Sequence, residues 1–292
     1  MLNEIASADA LTWLSICVKA LVYATSLTAA GSALCIIFLR ALPASEVIVL
    51  KRFAVWLALA AAVLSLVRIP LRAGFLMGGT WQGATDPMIL GMVAQSPLGT
   101  SMAVRLTGLA LILMLLLSVR TGRVAAGLGV LLVAVSFVLR GHALQEPRLL
   151  LGALITVHLL GLAFWIGAFV PLYRAARMDH GGRLAHEFGR KAVYVVASLT
   201  VAGGIALGLF IGNPITAAFT SYGQFFLLKL TAFLAIITLA AWNKMQLTPA
   251  LLRGDIDARD RLQMSIRWEV GLVLWILFTT AMLTVVSAPV AL

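Results

Sequence analysis

The stretch LTGLALILMLLLSVRTGRVAAGLGVLLVAVSFVL, residues 106–139, decides the fold class. It consists of two charge-free runs, Leu106–Val119 and Val124–Leu139, on either side of a link that carries Arg120 and Arg123. A helix needs roughly 20 apolar residues to cross about 30 Å of hydrocarbon. The alternation is therefore typical of membrane helices joined by a basic turn, and it predicts an all-α membrane protein.

The composition of the whole chain agrees with this local pattern. Of 292 residues, 62% are hydrophobic and 11% are charged, whereas a soluble domain carries about 25% charged residues. A net charge of +11 would favour nucleic acid binding in a soluble protein. Because the basic residues here lie between apolar runs, membrane lipids are the expected partners and nucleic acid is not.

The apolar runs predict about eight transmembrane helices in a single polytopic domain over residues 1–292. The predicted spans are residues 11–38, 47–68, 99–118, 124–140, 149–173, 192–212, 224–243 and 268–288. No low-complexity linker divides them, and the even number of spans places both termini on one side.

The positions of Lys and Arg predict which side that is. The first, third, fifth and seventh connections hold 15 of these cations, and the other side holds four, Arg68, Arg72, Arg140 and Arg148. By the positive-inside rule the larger group faces the cytoplasm. We therefore expect a bacterial inner-membrane protein with periplasmic termini, and we expect the outward connection 69–98 to form a lid or a partial helix.

Two segments resemble each other at a constant offset of 124 residues. Residues 96–107 (SPLGTSMAVRLT) align with residues 220–231 (TSYGQFFLLKLT), and the alignment pairs Arg105 with Lys229. Both segments enter a span from the outer side, as in transporters built from parallel repeats. A parallel four-plus-four repeat is one interpretation, and chance similarity between apolar helices is the other.

Three cations, Lys19, Arg105 and Lys229, fall inside the predicted spans. Ionisable residues within a membrane are usually functional, so we interpret these three, with Tyr222 and Trp165, as residues that line or gate a cavity. The alternative is that each long side chain snorkels to the headgroups. The predicted spans contain no deep Asp or Glu to pair with the cations, which favours contacts with carbonyl oxygens, water or an anionic ligand.

Two histidines lie where they could bind a metal ion. His142 is at the outer end of the fourth span, and His158 is about ten residues into the fifth, roughly 15 Å deep. A neutral imidazole in hydrocarbon needs a partner, which a metal ion, a haem or a hydrogen bond in a packed core can supply. Trp165 lies seven residues beyond His158 on the same helix face.

Methionines add soft ligands on the outer side. Met88 and Met92 are one helical turn apart and could face one ligand, and Met102 lies near the start of the third span. Thioether sulfur and imidazole together suit Cu(I) far better than Mg²⁺ or Ca²⁺, although methionine is also ordinary packing material. The predicted copper ligands are thus Met88, Met92, Met102, His142 and His158.

Motifs of soluble enzymes are missing from the sequence. It contains no Walker loop, dinucleotide fingerprint or Cys-x-x-Cys pair, and we expect neither enzymatic activity nor coupling to ATP. Cys17 and Cys35 are 18 residues apart in the first span, about 27 Å along its axis. That separation is too long for a disulfide or a shared metal ion.

Three stretches together point to a known family. They are residues 141–143 (GHA) with 158–167 (HLLGLAFWIG), residues 222–229 (YGQFFLLK) with 242–244 (WNK), and residues 265–270 (SIRWEV). On these residues the chain resembles the copper resistance protein D family, comprising CopD and its plasmid-borne PcoD relatives. Residues 190–290 resemble the family most.

The resemblance implies an eight-helix inner-membrane protein that receives copper from a periplasmic CopC-like protein and moves it toward the cytoplasm. Some relatives carry a fused CopC-like domain, and these 292 residues contain none, so we expect a separate donor. One alternative from another class remains open, a haem- or quinone-linked redox protein, because histidines on neighbouring helices also hold b-type haem. His142 lies at a shallower depth than His158, which is unfavourable for joint ligation of a haem.

Overall fold

The computed structural model describes residues 9–117, 119–140, 146–178, 181–210 and 221–286, and within these ranges the chain forms helices and no strands. A 3-10 turn, Met114–Leu116, extends the fifth helix, and a π-helical turn, Asn243–Leu247, joins the ninth to the tenth. The helices are α1 (Ala10–Phe38), α2 (Ala44–Leu76), α3 (Trp81–Thr85), α4 (Pro87–Gln95), α5 (Pro97–Leu113), α6 (Arg120–Ser136), α7 (Arg148–Ala175), α8 (Gly181–Phe210), α9 (Ser221–Trp242), α10 (Thr248–Leu252) and α11 (Ile256–Val286).

The prediction of an all-α membrane protein is confirmed. Seven helical stretches among the described residues are long and apolar enough to cross a membrane. The remaining predicted span, the fourth at 124–140, corresponds to α6, which has 17 residues. Its first turn lies beside a small cavity that Arg123 lines with Lys51, and its last residue, Ser136, bonds to Arg105 in the middle of α5. α6 therefore packs along α5 within the bundle.

Several helices continue beyond the predicted spans. α2 ends at Leu76 instead of 68, α8 begins at Gly181 instead of 192, and α11 begins at Ile256 instead of 268. Hydropathy detects only the apolar part of a helix, whereas backbone hydrogen bonding continues through its charged turns. The outward connection also contains helical structure, since α3 and α4 lie within it.

The cytoplasmic connections of the predicted topology meet at one end of the bundle, which we call the basic end. Glu46 at the start of α2 accepts hydrogen bonds of 2.9 and 3.1 Å from Arg174 near the end of α7. Arg177 pairs with Asp260 before the last span, and Glu187 accepts backbone N–H groups of the α1–α2 connection. The first, fifth and seventh connections are thereby joined, as the predicted topology requires.

Glycines allow the central helices to pack closely. α1 crosses α7 where Gly31 meets Gly167, and a Cβ atom at Gly31 would lie 1.9 Å from the carbonyl oxygen of Ala163. α5 crosses α6 in the same manner at Gly108 and Gly129. Small residues at helix crossings let backbones approach closely, which is how helices pack in a membrane where lipid is as apolar as the side chains.

The two halves of the chain share several of their helix contacts. α1 packs on α2 as α7 packs on α8, and α5 packs on α6 as α9 packs on α11. α1 also contacts α6 and α11, while α7 contacts α11 and α6. α5 and α9 begin at Pro97 and Ser221, which preserves the offset of the sequence alignment. These contacts agree with the predicted parallel four-plus-four repeat, whereas the packing of α2 on α5 has no equivalent between α8 and α9 in the described part of the chain.

Candidate functional site

Four cations gather at the end of the bundle opposite the basic end. The buried cation cluster comprises Lys19 and Arg105, which are buried, and Arg68 and Arg140, which are half-buried. Electrostatic repulsion connects all four. Arg72, which is exposed, lies at its margin. No carboxylate of the described residues hydrogen-bonds to a member of this cluster.

Arg105 is held inside the protein and does not snorkel. Its side chain is 2% exposed, its Nε donates to Ser136 Oγ at 3.1 Å, and its guanidinium lies over the ring of Phe137 at 4.1 Å. The Ser101 hydroxyl, 3.5 Å from Nη2, donates in turn to the carbonyl of Ser136. The guanidinium is thus fixed between α5 and the end of α6.

Lys19, on α1, is buried as well. Its side chain is 7% exposed, and Nζ donates to the carbonyl oxygen of Thr284 near the end of α11, at 3.0 Å. The sequence predicted contacts of this kind with carbonyl oxygens, because it placed no acidic residue deep in the spans to pair with Lys19. The contact ties α1 to the last helix but leaves the charge of Lys19 uncompensated.

Arg68 and Arg140 are members of the cluster that the sequence assigned to outward loops. α2 continues through Pro70 without a break, so Arg68 lies within a helix of the bundle. Its Nη1 atom is buried and has no hydrogen-bond partner in the described part of the chain. A helical window extended past residue 68 would have shown Arg68 and Arg72 on one face, one turn apart.

His158 lies inside the bundle, on the face of α7 that packs against α8. Its Nδ1 is 3.4 Å from the carbonyl oxygen of Leu199, and Gly203 is close enough that an added Cβ would lie 3.6 Å from the same nitrogen. Lys229 is within electrostatic range. The structure therefore places His158 of α7 and Lys229 of α9, two candidates from different helices, within electrostatic range of each other.

Trp165 and a buried carboxylate form a second polar group further along α7. Glu269 of α11 is 4% exposed; Trp165 Nε1 donates to its Oε2 at 3.1 Å and Asn243 Nδ2 to its Oε1 at 2.6 Å. The Oδ1 atom of Asn243 is buried without a hydrogen-bond partner among the described residues. Glu269 is therefore a buried carboxylate of the last membrane helix, at a position that the sequence had placed at the edge of a predicted span, and its partners are not Lys19, Arg105 or Lys229.

The start of the last helix explains why the sequence placed Glu269 at the edge of a span. Hydropathy began that span at residue 268, which put Glu269 at its edge, whereas α11 begins at Ile256. Glu269 is therefore about 20 Å along the helix at 1.5 Å per residue. Glu269 lies in the SIRWEV stretch, one of the stretches that resemble the known family, and this was a sign of function in the sequence. Its partners Trp165 and Asn243 come from distant parts of the chain, so the sequence did not indicate that they contact Glu269.

The predicted methionine ligands lie apart from these groups. Met88 and Met92, on α4, are 75% and 62% exposed, and Met102 of α5 is half-buried. His142 and the side chain of Tyr222 lie outside the described residues. In the part of the chain that the structure describes, no group of three or more His, Cys, Asp or Glu residues could hold a metal ion.

Two family models match the chain. The model for the copper resistance protein D-like N-terminal domain matches residues 8–149, and the model for copper resistance protein D matches residues 182–283. Neither a curated protein nor a solved structure matches the chain. The first match covers α1 to α6 and the second covers most of α8 to α11. On these two matches and its helical membrane architecture, the chain belongs to the copper resistance protein D family.

Proposed function

We propose that this protein carries copper across the bacterial inner membrane toward the cytoplasm, as a transporter and not as an enzyme. Family membership supports copper as the cargo. The observation that carries the proposed path is Glu269, which is buried with only neutral hydrogen-bond donors as partners. The other buried carboxylate of the described residues, Glu46, is already neutralised by Arg174.

A buried carboxylate without a cation is costly in a membrane, because its charge is neither hydrated nor paired. A proton or a passing metal cation would remove that cost. The unsatisfied Oδ1 of Asn243 provides a second oxygen ligand beside it. Oxygen ligands hold Cu(I) weakly, which suits a transit site, since conduction requires binding that also permits release.

The path begins at the end opposite the basic loops. Exposed Met88 and Met92 offer thioether ligands there, and His142 and Met102 extend the same set of soft ligands in the sequence. Because these ligands favour the reduced ion, we infer that copper enters as Cu(I). A periplasmic CopC-like protein is the proposed donor, and the exposed methionines are where it would transfer the ion.

From there copper passes to His158 and then to the Glu269 group. The two are linked along α7, since Trp165 lies seven residues beyond His158 on the same face, about 10 Å further on, and bonds to Glu269. The cation cluster repels metal cations, so beyond the entry ligands the proposed path lies in the C-terminal half of the bundle. Lys229, beside His158, would limit occupancy by opposing a second cation.

The direction follows from the proposed orientation. The connections at the basic end hold the larger share of Lys and Arg, so this end faces the cytoplasm and both termini face the periplasm. Single cysteines placed at exposed positions of the two ends, in a Cys17→Ser background, test it. A membrane-impermeant maleimide added to intact spheroplasts should label the α4 end only.

Elemental analysis of the detergent-purified protein tests the copper site. After exposure to reduced copper, we expect about one copper ion per chain in the wild type and a clear loss in a His158→Ala variant. His186→Ala is the matched control, since His186 is exposed at the basic end. Equal copper in all three proteins would refute a role for His158, and stoichiometric iron without copper would instead identify a haem protein.

A further inference from the structure

The buried cation cluster has a charge imbalance that copper transport does not explain. Its four cations come from α1, α2, α5 and the turn after α6, and the hydrogen bonds described for them go to hydroxyl and carbonyl oxygens. Bonds to neutral oxygens satisfy the N–H donors but leave the positive charges in place. An anion nearby would relieve the repulsion between these charges in a poorly hydrated region.

We propose that the cluster binds a phosphate-type oxyanion, at a site independent of the proposed copper path. Guanidinium groups present N–H donors in a planar fork that matches phosphate oxygens, and three of the four members are arginines. Arg68 supplies the most direct indication, because its Nη1 atom is buried and lacks a hydrogen-bond partner among the described residues. That donor is available to a ligand.

Arg105 would act as the fixed wall of this site. Ser136 and Ser101 orient its Nε and Nη2, and Phe137 covers one face of the guanidinium, so little side-chain entropy is lost when an anion binds. The hydroxyl of Tyr23 is within electrostatic range of Arg68, Arg105 and Arg140. It gives the site a neutral donor beside the guanidinium groups.

Free phosphate and the headgroup of an anionic phospholipid offer the same chemistry. Arg72, at the margin of the cluster, is exposed, so an anion from either source can reach that margin. One experiment with two parts distinguishes free phosphate from the phospholipid headgroup. In the first, thermal unfolding of delipidated protein is followed while inorganic phosphate replaces chloride at constant ionic strength. In the second, native mass spectrometry counts phosphatidylglycerol retained by protein from nanodiscs of phosphatidylcholine with phosphatidylglycerol.

Arg68→Gln is the test variant, and Arg148→Gln is its matched control because Arg148 is exposed at the same end. If the ligand is free phosphate, the unfolding temperature of the wild type should rise with phosphate concentration until it reaches a plateau. Arg68→Gln should weaken the apparent affinity for phosphate about tenfold, because one contact with the ion is lost. If the ligand is a headgroup, the wild type and Arg148→Gln should retain one phosphatidylglycerol and Arg68→Gln none.

The stability of the variant without added anion provides a second readout. Removing one of several repelling charges should leave the unfolding temperature of Arg68→Gln equal to that of the wild type or higher. An unfolding temperature below the wild-type value would show that Arg68 is neutralised within the chain and would overturn the proposal. The absence of both phosphate stabilisation and lipid retention in the wild type would overturn it as well.

Discussion

The crossing of α1 and α7 joins the two halves of the bundle and allows a prediction with a defined magnitude. In a Gly31→Ala variant the new Cβ would lie 1.9 Å from the carbonyl oxygen of Ala163 and 2.8 Å from the amide nitrogen of Gly167. Ordinary van der Waals contact begins at 3.4 Å. Both clashing atoms belong to the backbone, so the helices must move apart by more than an ångström.

The expected cost follows from overpacking a closely packed contact. Such substitutions destabilise by about 1–3 kcal/mol, and we expect the upper end because no side chain can rotate away. Alanine regains about 1 kcal/mol of helix propensity over glycine. The net loss for Gly31→Ala should therefore be about 2 kcal/mol in the free energy of unfolding.

Gly204→Ala provides the matched control on α8. Nothing lies within 4 Å of a Cβ added at Gly204, so this variant should gain up to about 1 kcal/mol from helix propensity alone. Unfolding in mixed micelles of a mild detergent and dodecyl sulfate, followed by circular dichroism, compares the two. The two variants should differ by about 3 kcal/mol; equal stability would refute the close contact between α1 and α7.

Two further predictions concern buried polar residues. Arg174→Gln removes the cation that pairs with Glu46, which is 0% exposed. We expect this variant to lose about 1–3 kcal/mol in its free energy of unfolding. This is the lower part of the range for a broken buried ion pair, because Arg174 is partly exposed. A double variant with Glu46→Gln should recover most of it, and no recovery would contradict the pairing. N-ethylmaleimide should modify Cys17, which is exposed, and leave the buried Cys35 unmodified until the protein unfolds; labelling of Cys35 in native protein would contradict its burial.

The membrane fold could be predicted from the sequence because its signal is local. Charge-free runs of helical length specify the spans, and the clustering of Lys and Arg between them specifies which connections share a side. The contacts of Glu46 with Arg174 and of Arg177 with Asp260 join connections that the charge pattern had placed together. The contact pattern of the helices likewise agrees with the repeat expected from the alignment of Arg105 with Lys229.

The composition of the site was less predictable, because it depends on where helices end and which faces meet. Arg68 and Arg140 seemed to lie in outward loops, since an apolar window ends at the first charged residue. Glu269 seemed peripheral for the same reason. Their burial depends on neighbours distant in sequence, such as Trp165 for Glu269, and no local pattern contains that information.

Transport by purified protein in liposomes tests the central claim most directly. Reduced copper is added outside vesicles that contain a copper indicator, and initial rates are compared for the wild type, His158→Ala and Glu269→Gln. Glutamine retains the shape of Glu269 and can still accept from Trp165, so this variant removes mainly the charge. His186→Ala and Glu146→Gln, at exposed positions, are the controls.

We expect wild-type vesicles and both controls to accumulate copper, and we expect each of the two path variants to lower the initial rate about tenfold or more. Such a loss corresponds to at least about 1.4 kcal/mol at the step that the residue assists. Equal uptake by the wild type, His158→Ala and Glu269→Gln would contradict a copper path through the C-terminal half of the bundle.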